Sequence, residues 1–294
     1  MEKFEGSWQT PSKTMRIGPY EIVSLETGRF ALDGGAMFGS IPKTIWSMTN
    51  PADDRNRIEL ALRVLLISSE SRKILVDSGA GHILSPKWQE IYGLDYSRHN
   101  LRGALARLGV KPEDVTDVVL THLHFDHAGG VTEYTDHGLG LTFPRARHFI
   151  QQRHWQWACH PSEKDRASFV QDTLQTLKSS DQVQILEGAC ELYPGLHLML
   201  SDGHTPGLQM VRIEDSSRVL LYPSDLLPTA SHLPLHFIMG YDLHPLTTLE
   251  EKRSALSQAC EAEWVIALEH DPCHEAIRIR RGAKHFELQE SLAL

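Results

Sequence analysis

Cysteine is scarce in this chain: four residues in 294, none in a C-x-x-C pair. Cys159, Cys190, Cys260 and Cys273 therefore show neither a disulfide framework nor a thiolate metal site, and free thiols in a reducing compartment are expected. No run of 18 apolar residues occurs, which excludes an apolar helical membrane span. No apolar stretch follows Glu2 and Lys3, so no signal peptide is expected and the location is read as cytoplasmic. No Ser/Gly, Pro-rich or single-charge run marks a linker. A polar arm over residues 1–15 is expected to be loose, and 16–294 to form one domain. Basic residues are also short: 29 Lys and Arg against 38 Asp and Glu leave a formal charge of −9. That balance excludes broad nucleic-acid binding, which needs a basic surface.

Histidine, by contrast, is plentiful, with 17 residues. Three of them and an aspartate crowd into Thr121-His122-Leu123-His124-Phe125-Asp126-His127. Imidazole with carboxylate fits a divalent transition-metal site. The preceding Asp117-Val118-Val119-Leu120 reads as a short buried strand. In extended backbone, residues i and i+2 share a side, so His122 and His124 can grip one ion. Gly129-Gly130 signals a turn that lets Asp126 and His127 face a second point nearby. A clustered set of unrelated structural histidines is the bland alternative. Three further candidates follow apolar runs: His204 after Leu196–Leu200, Asp225 after Val219–Tyr222, and His270 after Trp264–Leu268. Loops at strand ends hold such groups rigidly while letting them reach out.

H-x-H-x-D-H, then Gly203-His204-Thr205-Pro206-Gly207, then Asp225, then His270, in that order, resembles the metallo-β-lactamase superfamily over nearly the whole chain. Leu75-Val76-Asp77-Ser78-Gly79 looks like the family's early strand ending in D-x-G. Leu32-Asp33-Gly34-Gly35 with Met37, Phe38 and Trp46 looks like the opening of its branch of N-acyl homoserine lactonases and methyl-parathion-hydrolase-like enzymes. The resemblance implies a four-layer αββα sandwich. It implies one metal on His122, His124 and His204, a second on Asp126, His127 and His270, and Asp225 bridging them. Zinc is the first expectation, with manganese, iron and cobalt open. Asp77 is either a support for a ligating histidine or a plain turn residue.

Two ions about 3.5–4 Å apart share a water and lower its pKa to roughly 7. The expected enzyme is therefore a metal-dependent hydrolase that opens a small lactone or ester by direct attack of a bridging hydroxide. Asp126 is expected as the catalytic group that orients the nucleophile or shuttles a proton. Hydrolysis of a phosphotriester or β-lactam in the same fold is the first alternative, and a non-hydrolytic metal-binding or sensor protein the second. The family's lactonases carry a Tyr three residues after the bridging Asp, where this chain has Pro228, and Ser224 stands where Gly usually precedes that Asp. Met37, Phe38 and Trp46 are expected either as an apolar wall for a small-molecule substrate or as a homodimer contact. His232 or Tyr241 supplies the missing polar contact, or His232 merely caps a turn while Leu233, Leu235, Phe237 and Ile238 pack.

Periodicity places one strand or two, divided around Thr27-Gly28, over Ile17–Leu32, and further strands at Leu60–Ile67, Lys73–Val76, Ala146–Ile150, Met210–Ile213 and Ile277–Ile279. Helices are read at Leu101–Leu108, His154–Ala158, Ala167–Leu177 and Leu249–Ala259.

Overall fold

A computed structural model describes residues 14–294. The arm expected over 1–15 lies outside the described residues as far as residue 13, and the first strand already begins at Met15. In chain order the strands are β1 (Met15–Ile17), β2 (Tyr20–Asp33), β3 (Arg57–Ser68), β4 (Lys73–Val76), β5 (Asp117–Val119), β6 (Thr132–Thr135), β7 (Gly138–Leu141) and β8 (Arg147–Gln151). They continue as β9 (Val183–Leu186), β10 (Cys190–Tyr193), β11 (Leu196–Ser201), β12 (Leu208–Glu214), β13 (Val219–Tyr222), β14 (Val265–Ala267), β15 (Ala276–Arg281) and β16 (Phe286–Leu292). The helices are α1 (Gly34–Phe38), α2 (Lys43–Trp46), α3 (Pro86–Ile91), α4 (Leu101–Arg107), α5 (Phe125–Ala128), α6 (Gln152–Cys159), α7 (Gln171–Lys178) and α8 (Pro245–Glu261).

One sheet runs β1-β2-β3-β4-β5-β8-β9 and the other β10 through β16 in sequence order. The alternation of apolar residues puts both faces of the first sheet to use. On β3, Leu65 and Ile67 face the second sheet, where they meet Val211, Ile213 and Tyr222. Val64 and Leu66 face outward onto Leu101, Leu105, Leu174 and Leu177 of α4 and α7. The second sheet is covered by α8 through Ala255, Leu256 and Ala259 against Leu221, Ile266 and Ile277. Helix, sheet, sheet, helix is the αββα layering that the family resemblance implied.

Both sheets hold a parallel pair at their centre, β4 with β5 and β13 with β14. The loops that leave these strands carry Asp77, the 121–127 segment, Asp225 and His270. Gly129-Gly130 serves close approach rather than a special turn conformation. An ideal Cβ on Gly129 would lie 2.1 Å from the Ala80 carbonyl oxygen, and one on Gly130 2.1 Å from that of Ser78. The loop after β4 is thereby pressed onto α5.

Two helices differ from expectation. The single helix read over Ala167–Leu177 is broken: a turn over Arg166–Ser168 gives way to extended backbone at Phe169, and α7 starts at Gln171. Phe169 pairs instead with His124 across an isolated bridge and packs on its ring, so tertiary contact overrides local propensity. The helix read from Leu249 begins earlier, with Pro245 in its first turn. Glu251, in its second turn, accepts from Ser201 Oγ at 2.6 Å, Asp202 N at 2.7 Å and Gly203 N at 3.1 Å, and so anchors the turn before His204.

Gly130→Ala forces the two loops apart and is expected to destabilise the metal-free protein by about 1–3 kcal/mol in urea unfolding. An unchanged midpoint would show that the contact has slack.

Candidate metal centre

Seven side chains from five segments converge where the two parallel strand pairs end. His122 and His124 follow β5, Asp126 and His127 sit on α5, His204 lies between β11 and β12, Asp225 lies in the turn after β13, and His270 follows β14. All seven are less than one-tenth exposed. Their donor atoms form two groups, each within 4.8 Å internally: His122, His124, His204 and Asp225; and Asp126, His127 and His270.

Asp225 lies between the groups. Its Oδ2 is 3.1 Å from His204 Nε2 and 3.5 Å from His127 Nε2, while its Oδ1 is 3.2 Å from His270 Nε2. Asp126 Oδ2 lies 3.7 Å from His270 Nε2 and 3.8 Å from His127 Nε2.

The far nitrogen of each ring sets its tautomer. His122 Nδ1 donates to Thr121 Oγ1 at 3.2 Å, His204 Nδ1 to Asp242 Oδ1 at 2.8 Å, and His270 Nδ1 to the Ala61 carbonyl at 2.9 Å. His127 Nδ1 has two carboxylates, Asp77 Oδ2 at 3.2 Å and Glu269 Oε2 at 3.1 Å. Asp77 is also tied to Thr121, accepting from its N–H and its hydroxyl at 2.7 Å each. His124 differs: among the described residues its Nε2 has no hydrogen-bond partner, and the ring is steadied by the edge contact with Phe169.

These pairings leave bare ring nitrogens aimed at one another. His122 Nε2 is 3.0 Å from His124 Nδ1, His204 Nε2 is 3.2 Å from the same atom, and His270 Nε2 is 3.2 Å from His127 Nε2. Facing lone pairs at such distances need a cation or a proton between them. The donor sets, three imidazoles and a shared carboxylate in one group, two imidazoles and a carboxylate in the other, fit two divalent ions.

In the metal-free protein, protons occupy part of that role. Burial, reinforced by neighbouring rings, holds His122 and His124 well below the usual histidine range, so both stay neutral. Burial also opposes charge on His270, but Asp225 and Glu269 override it and push its pKa up to about 9. His127, beside Glu269 and Asp225, and His204, beside Asp225 and Asp242, are likewise raised against burial. Burial pushes Glu269 up to about 7, with Asp77 adding to the shift.

Sequence reading did not assign Glu269, Asp242 or Thr121. Glu269 had a visible signal, a charge at the end of the apolar β14 run; Asp242 had none, lying 38 residues from His204. Ser224 has a φ of +50°, a conformation that favours glycine, and its hydroxyl donates to Thr121 Oγ1 at 2.9 Å. That bond accounts for a serine where the resembled pattern has glycine.

A cleft of about 610 Å³, partly open to solvent, lies over the centre and is lined by Phe30, Leu32, Leu60, Tyr92, Phe125 and Met239, among others. Of the expected substrate contacts, Met37 and Tyr241 line it. Phe38, Trp46 and His232 lie behind it: Phe38 is stacked between Trp46 at 5.7 Å and His232 at 4.6 Å. His232 is buried, donates from Nε2 to the Met37 carbonyl at 2.9 Å and accepts from Thr229 Oγ1 at 2.7 Å, so it supports the wall rather than facing the cleft. Pro228 offers its carbonyl to His270 N–H at 3.2 Å.

With this fold and these two groups, the chain belongs to the metallo-β-lactamase superfamily, whose family model matches residues 63–270. Among individual relatives, it is 28% identical to an N-acyl homoserine lactonase of a Bacillus species over 183 residues, 56% of this chain and 63% of that one. The chain thus spans less than two thirds of the length of that curated relative. A probable metal-dependent hydrolase from Staphylococcus aureus has a similar solved structure, with TM-score 0.85, 28% identity, and coverage of 95% of this chain and 100% of that one. The fold is also that of AidC, a dizinc quorum-quenching lactonase solved with N-hexanoyl-L-homoserine as product, at TM-score 0.78, 22% identity, and 96% and 98% coverage. No described helix is long and apolar enough to cross a membrane.

Because His127 is raised well above the usual histidine range and His270 up to about 9, both carry protons at pH 7 that a metal must displace. Zinc titration of the metal-free protein at pH 7 is expected to release about two protons or more, read from calorimetry in buffers of different ionisation enthalpy. Zinc binding with no proton release would contradict this charge assignment.

Proposed function

We propose that the protein is a dinuclear metal-dependent hydrolase that opens a small lactone or ester bearing an apolar acyl or aryl group, with residues 16–294 acting as one domain. The observation that carries this reading is the position of Asp225 between two ligand groups at the floor of an apolar cleft. His122, His124 and His204 would hold one ion, Asp126, His127 and His270 the other, with Asp225 shared. Zinc is favoured by the donor set. Two such ions, when bound, lower the pKa of a water between them from 15.7 to roughly 7 and polarise the acyl oxygen.

The chain's own groups do the rest. Asp126 lines the cleft beside His127 and His270, within reach of the reacting atoms. It takes the proton of the attacking water and returns it to the leaving alkoxide, so no covalent enzyme intermediate is required. Phe30, Met37, Phe125 and Met239 exclude water and bind the apolar arm of the substrate. Tyr241, also in the lining, supplies the hydroxyl that the family's lactonases carry at the position of Pro228 here. The Bacillus lactonases among the relatives support a lactone as the first substrate class to try.

Metal-reconstituted protein should be assayed on lactones, aryl esters, phosphotriesters and nitrocefin. Turnover of a lactone or ester is expected, lost on chelation and restored by zinc, manganese or cobalt. Turnover confined to phosphotriesters or nitrocefin would move the assignment to those substrates, and none on any class with two metals bound would favour a non-hydrolytic role. Asp126→Asn is expected to lower kcat by about a hundredfold or more. Tyr241→Phe should lower it about tenfold, the loss of one hydrogen bond to a charged oxygen, whereas Tyr92→Phe should leave it nearly unchanged. A trapped acyl-enzyme in rapid-quench mass spectrometry would refute direct attack.

A further inference from the structure

His154 lies in the first turn of α6, 1% exposed, and belongs to neither ligand group. Its Nε2 accepts the Leu123 N–H at 2.7 Å, and its Nδ1 donates to the Pro206 carbonyl at 3.1 Å. One neutral ring therefore joins the backbone between His122 and His124 to the turn that follows His204. Its Nε2 lone pair is occupied by the Leu123 amide, so the ring is unavailable as a ligand. The turn is also close to α6 itself: a Cβ on Gly207 would lie 2.7 Å from the His154 backbone nitrogen. Helix, ring and turn thus set the spacing between two loops that contribute three imidazoles to one group.

The two groups differ in how they are held. His127 and His270 are oriented by Asp77, Glu269 and the Ala61 carbonyl, none of which hydrogen-bonds to α6 among the described residues. In the other group, His124 lacks a partner on its far nitrogen among the described residues. Its ring is steadied by Phe169 and aimed by the backbone at 123–124, and the Leu123 amide is the backbone group that His154 holds.

We propose that His154 is a positioning residue that clamps the His122–His124 segment to the turn after His204 and so sets the metal affinity of the three-histidine group, but not that of the Asp126–His127–His270 group. The proposal rests on the two-metal reading above. Two backgrounds separate the groups: His270→Ala retains the three-histidine group, and His204→Ala retains the other. Zinc affinity is measured on metal-free protein by competition with a chromophoric chelator. His154→Leu keeps the bulk and removes both hydrogen bonds. It is expected to weaken zinc binding about 10–100-fold in the His270→Ala background and by less than about threefold in the His204→Ala background. His154→Gln, whose amide offers an acceptor and a donor at similar reach, should restore most of the loss.

Equal weakening in both backgrounds would reduce His154 to a residue of general stability and overturn the proposal, as would no weakening in either. Should His154→Leu fail to fold, the comparison passes to His154→Gln against His154→Asn, which is one methylene too short to reach the Leu123 amide; equal affinities would again overturn it. Failure of the parent reading is distinguishable, because it appears as wild-type protein that binds no zinc at either group.

Discussion

The centre depends on one arrangement: a buried carboxylate, Asp225, within about hydrogen-bond distance of imidazoles from three other segments. Burial opposes charge on every member of this set, yet His127, His204 and His270 hold Asp225 well below the usual carboxylate range. None of these groups could be buried alone, since an isolated charge in so dry a place is costly and shifts to its neutral form. Their mutual compensation is what permits seven polar side chains to occupy the junction of two apolar sheets, and it is also what makes the junction receptive to cations.

The rest of the architecture serves that junction. The parallel strand pairs at the middle of each sheet end together, and the apolar interior between the sheets, with Leu65, Ile67, Val211 and Tyr222, holds those ends in register. Around these seven side chains is a layer of partners drawn from other segments: Asp77 from the loop after β4, Thr121, Glu269, Asp242, and Glu251 from α8. The cleft above joins α1, the early strands and the 236–242 segment to a floor formed by His124, Asp126, His204, Asp225 and His270 themselves.

Much of the centre was legible in the sequence. His122, His124, Asp126 and His127 are neighbours along the chain: alternation off a short strand puts the first two on one side, and the turn that follows, helical in the structure, brings Asp126 and His127 beside them. His204, Asp225 and His270 could be marked because each follows an apolar run. The misreadings have physical causes. The 167–177 stretch has helical periodicity, but Phe169 gains more by packing on His124 than by completing a turn. β16, with a single fully buried apolar residue at Phe286, carries too little pattern to be recognised. Phe38, Trp46 and His232 have the composition of a pocket wall, and only their mutual stacking shows that they brace the wall instead of forming it.

By itself the sequence determined the donor types and their order, because these follow from local spacing, and, through the family resemblance those motifs carry, it implied the fold layering. Tertiary structure alone decided how the donors divide into two groups around Asp225, and which far nitrogens are held and by what. It also decided which aromatic residues reach the cleft. Those outcomes rest on distances between residues 30 to more than 200 positions apart, such as His127 to Asp77 and His270 to Ala61. No local periodicity encodes such distances; they are set when the two sheets close on their shared core.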